Sequence, residues 1–400
     1  MRILQICPKP PLPSVDGGTL AANSVTEAIL NSGNEVRVLT IATKKHPFLP
    51  GKMSPEYKSA TKIEAVAVNT DVNFFSAFFN LFSSSCYNVN RFYSLDFENK
   101  LISILQKETF DVIQLESLYM STYIDAIRKY SKAKIILRAH NVESDLWKRR
   151  TLLEKNLLKR RWFNHLTKNI SLCETDSFGK VDAIIPITNQ DSIAISKMLN
   201  GKNKPIFVLP FAMNLPEKKS SGTPKQGTVF HIGSMDWAEN IEGVTWLVNE
   251  VWPKIISKTP FAELHLAGRG LKADDMRYAG KNIFNHGEVE SAEDFMNEFS
   301  VMTVPLLSGG GMRVKLVEGM ALAKAIVSTS IGAEGTETEK EKEIMIENSA
   351  EEFAEAICNL LNNEIFAREL GNRAKEFAKS HFDLALSSKK LNDFYGSLIR

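Results

Sequence analysis

Ser308-Gly309-Gly310-Gly311 is followed at short spacing by Arg313, Lys315 and Glu318. Successive glycines let backbone N–H groups come close to an anion, and a helix opening just after them adds partial positive charge at the same place. Residues 301–305 read as a short buried strand, 313–323 as the helix and 325–328 as the next strand. Arg313 and Lys315 fall in the first helical turn, where cations oppose the macrodipole. A phosphate resolves that conflict, because it attracts the amides and the cations together. Glu318 lies one to two turns on, where a carboxylate reaches past the phosphates to a ribose hydroxyl. The chemistry suggested is recognition of a nucleoside diphosphate. The plain alternative is a glycine-rich loop before a basic surface helix.

The same half of the chain repeats the device. Strands read at 228–232, 263–267 and 282–285, and glycine follows each: Gly233-Ser234, Gly268-Arg269-Gly270 and Gly287, the last leading to Val289. Parallel strands ending together place these turns beside the 308–311 loop, as a backbone-lined crevice suited to a nucleotide. Glu334 follows the 325–328 strand and by itself reads as a capping or solvated residue. Arg269 reads equally as a phosphate partner and as a solvated loop cation.

The amino-terminal half alternates likewise. Strands read at 2–7, 35–41, 62–68, 111–115, 133–138, 182–186 and 205–208, which predicts a parallel sheet covered by helices on both faces. After the first strand come a proline-rich loop at 8–16, the pair Gly17-Gly18 and a helix over 20–31. The spacing is not G-x-G-x-x-G, and the pair reads equally as ligand-facing backbone and as a plain strand-to-helix turn. His140 follows a strand end, where ligands of open α/β sheets collect. A neutral imidazole there could accept a hydrogen bond from a sugar hydroxyl, or be satisfied within the fold. Glu116 holds the corresponding place on the preceding strand.

Two further stretches stand out. Residues 146–178 read as a long helical region with a basic face, in which Lys148, Arg149, Arg150, Lys155, Lys159, Arg160, Arg161 and Lys168 oppose a single nearby acid, Glu154. Such a face is solvated or suited to anionic lipid. Residues 73–82 hold five phenylalanines in ten positions and read as a buried helix or as an apolar mouth for a lipid-linked acceptor or a membrane surface.

The 301–335 stretch, SGGGMRVKLVE above all, resembles the donor-binding core of the GT-B fold retaining glycosyltransferases of family 4, the glycosyl transferases group 1 type. That group usually carries a Glu, seven residues and a second Glu. Glu318 stands at the second position and Gly310 at the first, as in a subgroup with a G-x-G-x-R-x-K-x-x-E version. The resemblance implies that Glu318 holds the ribose and that the backbone around Val289 holds the base. It implies that Gly233, Ser234, Gly309, Gly310 and Gly311 approach the phosphates. Gly17 and Gly18 would face phosphates and acceptor, His140 would line the sugar pocket, and Glu334 would lie beside the donor sugar. A lysine that the family places before Asn240 is Glu239 here, so Arg313 and Lys315 remain to meet the diphosphate. The implied catalytic set is His140, Arg313 and Lys315.

Composition sets the outer bounds. Four hundred residues, 44% hydrophobic and 24% charged, suit two soluble domains. A net charge of +2 gives no global case for nucleic acid. Four scattered cysteines read as reduced thiols, and no D-x-D pair points to a metal-bridged diphosphate. The opening strand reads as having no secretory leader, and no apolar run approaches the roughly 20 residues of a membrane span. These observations and the resemblance predict two Rossmann-like α/β domains facing across a cleft. The expected limits are an acceptor domain over 1–213, a linker over 214–226, a donor domain over 227–381 and a last helix over 382–400 returning to the first domain. The expected activity is transfer of a sugar from a UDP- or GDP-sugar to a glycan or lipid-linked acceptor with retention, in cell-surface polysaccharide synthesis. It would need no cofactor and no metal, in the cytoplasm or peripherally at the inner membrane. A nucleotide-sugar epimerase and a non-catalytic nucleotide-sugar-binding or membrane scaffold are the alternatives.

Overall fold

The computed structural model describes residues 1–14, 17–70, 86–154, 156–215, 223–309 and 312–400. The phenylalanine-rich stretch 73–82, Lys155, Gly310, Gly311, and parts of the 8–16 loop and the 214–226 segment lie outside the described residues. The chain divides into two units, Met1–Met213 with Leu384–Arg400, and Asn214–Asp383.

The first unit is built on β1 (Arg2–Cys7), β2 (Glu35–Ala42), β3 (Glu64–Ala67), β4 (Val112–Glu116), β5 (Lys134–Ala139) and β6 (Ala183–Pro186). All pair in parallel in the order β3-β2-β1-β4-β5-β6. The strands are nearly continuous apolar runs because both faces are covered. Leu4, Ile6, Ile113, Leu115 and Leu137 pack with Phe97, Leu101 and Tyr123 on one face. Ile3, Val36, Val112 and Ile136 pack with Val25, Ile29, Leu391 and Tyr395 on the other. The last helix, Leu384–Ile399, therefore belongs to this sheet's cover. Ser32 and Asn34 donate to Ser388 O at 2.9 Å and Asn392 Oδ1 at 2.8 Å, fixing the helix against the end of Gly17–Asn31.

Three local expectations change. Residues 205–208 do not form a strand: Ile206 bridges to Ile184 and Leu209 N donates to Pro186 O at 3.0 Å, but Pro186 has no N–H to complete the next bridge. Gly17 and Gly18 lie in the first turn of the helix Gly17–Asn31 rather than in the loop before it. The basic region 146–178 is a helical hairpin, Glu143–Leu153 and Leu157–Lys180, and not one helix. Asn156 makes the break, its Oδ1 accepting from Leu158 N at 3.0 Å and Lys159 N at 3.1 Å as an N-cap.

The other end of that hairpin depends on Glu174. Its buried carboxylate accepts from the N–H groups of Glu143 at 2.6 Å and Ser144 at 3.0 Å, tying down the helix that follows His140. Burial pushes the Glu174 carboxyl up to about 7, against the pull of those hydrogen bonds, and neighbouring Glu143 adds to the rise. An unfolded glutamate titrates near 4.3, so the stabilisation is fully present below that and is lost as the pH rises through about 7. The shift corresponds to on the order of 3 kcal/mol. The melting midpoint is expected to fall between pH 5 and pH 8, and Glu174→Gln should flatten that dependence in calorimetric scans.

The second unit carries β7 (Lys225–Ile232), β8 (Glu263–Ala267), β9 (Ile283–Gly287), β10 (Phe299–Val304), β11 (Ala325–Ser328) and β12 (Met345–Ile346). The order is β12-β11-β10-β7-β8-β9, again all parallel. Counted from its own first strand, each sheet has the Rossmann order 3-2-1-4-5-6, which reverses direction between the first and fourth strands. Ligands of such sheets bind beyond the strand C-termini at that reversal, between β1 and β4 here and between β7 and β10 in the second unit.

Candidate functional site

In the second unit the loop after β10 runs to the helix Val314–Ala321, with Arg313 as its N-cap residue. Gly309 has φ +104°, and a Cβ there would come 2.9 Å from Arg313 Nη2 and 3.2 Å from Glu239 Cγ. Only glycine lets the guanidinium lie against the loop backbone. The loop is tied to the helix Ala238–Trp246 by Ser308 Oγ, which donates to Glu242 Oε2 at 2.5 Å. Burial pulls the Arg313 guanidinium below its ordinary value, opposed by Glu334 and Glu239. A partly buried cation thus lies in the field of two carboxylates at the strand-order reversal. Lys315 is more exposed, and its Nζ pairs with Glu318 Oε2 at 2.6 Å.

The neighbouring turns are laced together. Gly233 N donates to Ala267 O at 3.1 Å, Gly268 N to Gly287 O at 2.8 Å, and Met235 N to Arg269 O at 2.7 Å. A Cβ on Gly268, at φ +141°, would stand 1.9 Å from Gly233 O. The glycines after β7 and β8 are therefore required by packing between loops, a reason the spacing alone did not reveal. Asn240 Nδ2 donates to Ser234 O at 2.8 Å and fixes that turn to the helix. Arg269 pairs with Asp236 at 2.7 Å on an exposed surface. Val289 is half-buried, two residues beyond β9.

In the first unit, Glu116 ends β4 and His140 follows β5. Glu116 is fully buried, and its Oε2 lies 3.1 Å from His140 Nε2. Gln5 on β1 donates to Glu116 Oε1 at 2.9 Å, and Gln114 donates to the same oxygen. Tyr395 on the last helix donates to Gln114 Oε1, so a hydrogen-bond chain runs from that helix to the imidazole. Thr26 donates to Gln5 Oε1 at 2.7 Å and orients its amide. Arg138 is fully buried with Nε 3.7 Å from Glu116 Oε2, and among the described residues its nitrogens have no hydrogen-bond partner. Burial alone pushes the Glu116 carboxyl up, but His140, Arg138 and Gln114 outweigh it and hold it below its ordinary value. The ionised carboxylate can accept from the His140 Nε2 position, which leaves Nδ1 as the imidazole's acceptor.

Of the residues singled out by sequence, Gly233, Ser234, Val289, Gly309, Arg313, Lys315, Glu318 and Glu334 all lie beyond strand C-termini of the second sheet. Gly17, Gly18 and His140 lie beyond those of the first. A Cβ at Gly17 would meet nothing within 4 Å, so packing does not demand glycine there. Gln5, Gln114, Arg138 and Tyr395 were not anticipated. Arg138 and Gln114, polar residues inside otherwise apolar strand runs, were the available signal. Among the described residues, no group of three or more His, Cys, Asp or Glu is arranged to hold a metal ion.

Two sheets of this order in one chain, with a glycine-arginine loop at the second reversal, are the GT-B architecture. Residues 226–363 match the family described as "Glycosyl transferases group 1". It is similar to an uncharacterized 44.6 kDa protein in the cps region of Klebsiella pneumoniae, 22% identical over 96% of each chain. Among solved structures it is similar to sucrose-phosphate synthase from Thermosynechococcus elongatus, with TM-score 0.67 and 15% identity over 100% of this chain and 99% of that one. HepE of Anabaena, solved in complex with UDP, superposes with TM-score 0.66 at 10% identity over 99% and 100% of the two chains.

Proposed function

We propose that the protein transfers a hexosyl group from a nucleoside-diphosphate sugar to a glycan or lipid-linked acceptor, with retention of anomeric configuration, in surface polysaccharide synthesis. The observation that carries this reading is Arg313, a partly buried guanidinium seated on Gly309 at a helix start beyond β10. The match of residues 226–363 to the group 1 family, the UDP held by Anabaena HepE and the cps region of the Klebsiella relative support it. The diphosphate takes Arg313 from Glu239 and Glu334, with Lys315, the loop amides and the helix start completing the anion site. Gly233 and Ser234 approach the phosphates, the backbone at Val289 takes the base, and Glu318 turns from Lys315 to the ribose. Glu334, released from Arg313, meets sugar hydroxyls.

In the transfer, the bond from the anomeric carbon to the diphosphate oxygen breaks. The acceptor hydroxyl oxygen bonds to that carbon on the same face, and its proton passes to the leaving diphosphate. Arg313 and Lys315 meet the charge that develops on the leaving group. His140, oriented by Glu116, accepts a hydrogen bond from a hydroxyl of the sugar or acceptor. Gly17 and Gly18 offer backbone to the same ligands. The chain works at the cytoplasmic face, in peripheral contact with the membrane that holds its acceptor.

Thermal melting against UDP, GDP, ADP and their sugar conjugates tests the donor half of this reading. A ligand that binds only the native state raises the midpoint according to its concentration over Kd. One nucleotide series is expected to stabilise the protein selectively. No shift with any nucleotide at millimolar concentration would contradict it.

A further inference from the structure

The helical hairpin Glu143–Leu153 and Leu157–Lys180 presents a surface that glycosyl transfer does not use. The buried stripe of the second helix begins only at Phe163, continuing through Leu166, Ile170 and Phe178. Every residue over 157–162 is exposed. The helix thus runs a turn and a half past its own core, and it does so with leucine. Leu157 and Leu158 are 78% and 81% exposed, Leu152 on the facing helix end is 66% exposed, and Trp162 is 37% exposed. A solvated helix start has no use for three bare leucines and an indole.

Cations surround them. Residues 148–168 carry eight Lys and Arg against one Glu. Lys148, Lys159, Arg160, Arg161 and Lys168 are exposed. Arg150 lies over the rings of Trp147 at 5.3 Å and Phe163 at 5.1 Å, bracing the hairpin behind its tip. Trp147 and Phe163 meet edge-on at 5.7 Å, so the support is rigid. Apolar side chains at a tip ringed by long cations match an interface in which hydrocarbon lies beneath anionic headgroups. Nucleic acid would take the cations but leave the leucines in water.

We propose that this hairpin tip inserts Leu152, Leu157, Leu158 and Trp162 into the headgroup boundary of an anionic bilayer, with Arg160 and Arg161 on lipid phosphates. The inference names the surface behind the membrane contact suggested above. Its test needs no donor or acceptor, so it and the transferase reading fail separately.

The full chain is spun down with vesicles of phosphatidylcholine alone or with about one-third phosphatidylglycerol, at low and at high salt. It is expected to partition onto the anionic vesicles and to leave them as salt screens the cations. L157E/L158E should lower the partition coefficient about a hundredfold, since each buried leucine is worth roughly a factor of ten or more. R160E/R161E should lower it at least about tenfold, by reversing two charges near the surface. Unchanged melting midpoints confirm that both variants fold. As a second reading, brominated lipid should quench parent fluorescence, and W162F should lose most of that quenching. Equal binding to neutral vesicles, or binding untouched by both variants, would overturn the proposal. So would a concentration-dependent dimer dissolved by L157E/L158E without vesicle binding, which would give the face to a second copy of the chain.

Discussion

Arg313→Ala is expected to weaken binding of the cognate nucleoside diphosphate by about two to three orders of magnitude, while the fold persists. Losing one partner of a partly desolvated charge pair costs about 2–5 kcal/mol. Here the loss stays clear of the lower end of that range, because Glu239 and Glu334 stay behind. With the guanidinium in place, it offsets the charge of both carboxylates. Without it, they face the incoming phosphates as like charges. Arg313→Lys should recover only part of the affinity, since an ammonium keeps the charge but not the planar fork. Lys315→Ala should cost about tenfold or less, because Lys315 is half-exposed and already engaged with Glu318. Titration calorimetry of the three variants against the nucleotide that stabilises the parent reads this order directly. Parent-like affinity in Arg313→Ala would move the phosphate site elsewhere.

His140→Ala is expected to lower kcat by about a hundredfold or more, because a positioned imidazole contributes on this scale, with a modest fall in the melting midpoint as buried Glu116 Oε2 loses a partner. Glu116→Gln should lower kcat too, but with a large loss of stability. The substitution keeps the shape and removes the charge that Arg138 depends on, and a buried cation stripped of its partner costs about 3–5 kcal/mol. Tyr395→Phe removes the far end of the chain through Gln114 and leaves the ion pair, so it should reduce kcat only a few-fold with donor KM unchanged. A parallel fall of kcat in all three, graded in this order, is the signature of one network acting on one imidazole. Full activity in His140→Ala would leave the network a structural one.

The strands were largely legible. Largely apolar runs between polar turns mark β1, β8 and β11 to the residue, because both faces of each are covered. What escaped was decided by single local contacts. Asn156 splits a periodic helical pattern by capping a new helix, and Pro186, which has no N–H, stops the 205–208 run from laddering onto β6. The site escaped for another reason. Gln114 and Tyr395 are separated by 281 residues, and Gln5 reaches Glu116 across two strands that only the sheet order makes neighbours. Glu239 stands out in sequence as a charge of the wrong sign. Only the fold brings it to the guanidinium that answers it. Gly268 is the converse case, a glycine whose pattern suggested a ligand and whose neighbour is the Gly233 carbonyl.

The central claim is acceptor-dependent transfer from a nucleotide sugar. It is tested most directly by incubating the protein with UDP-, GDP- and ADP-sugars, with and without lipid and glycan extracts, and measuring nucleoside diphosphate released and the anomeric configuration of the product. The account predicts consumption of one donor only when acceptor is present, with configuration retained. Equal consumption without acceptor, or nucleotide binding with no consumption under any condition, would contradict it.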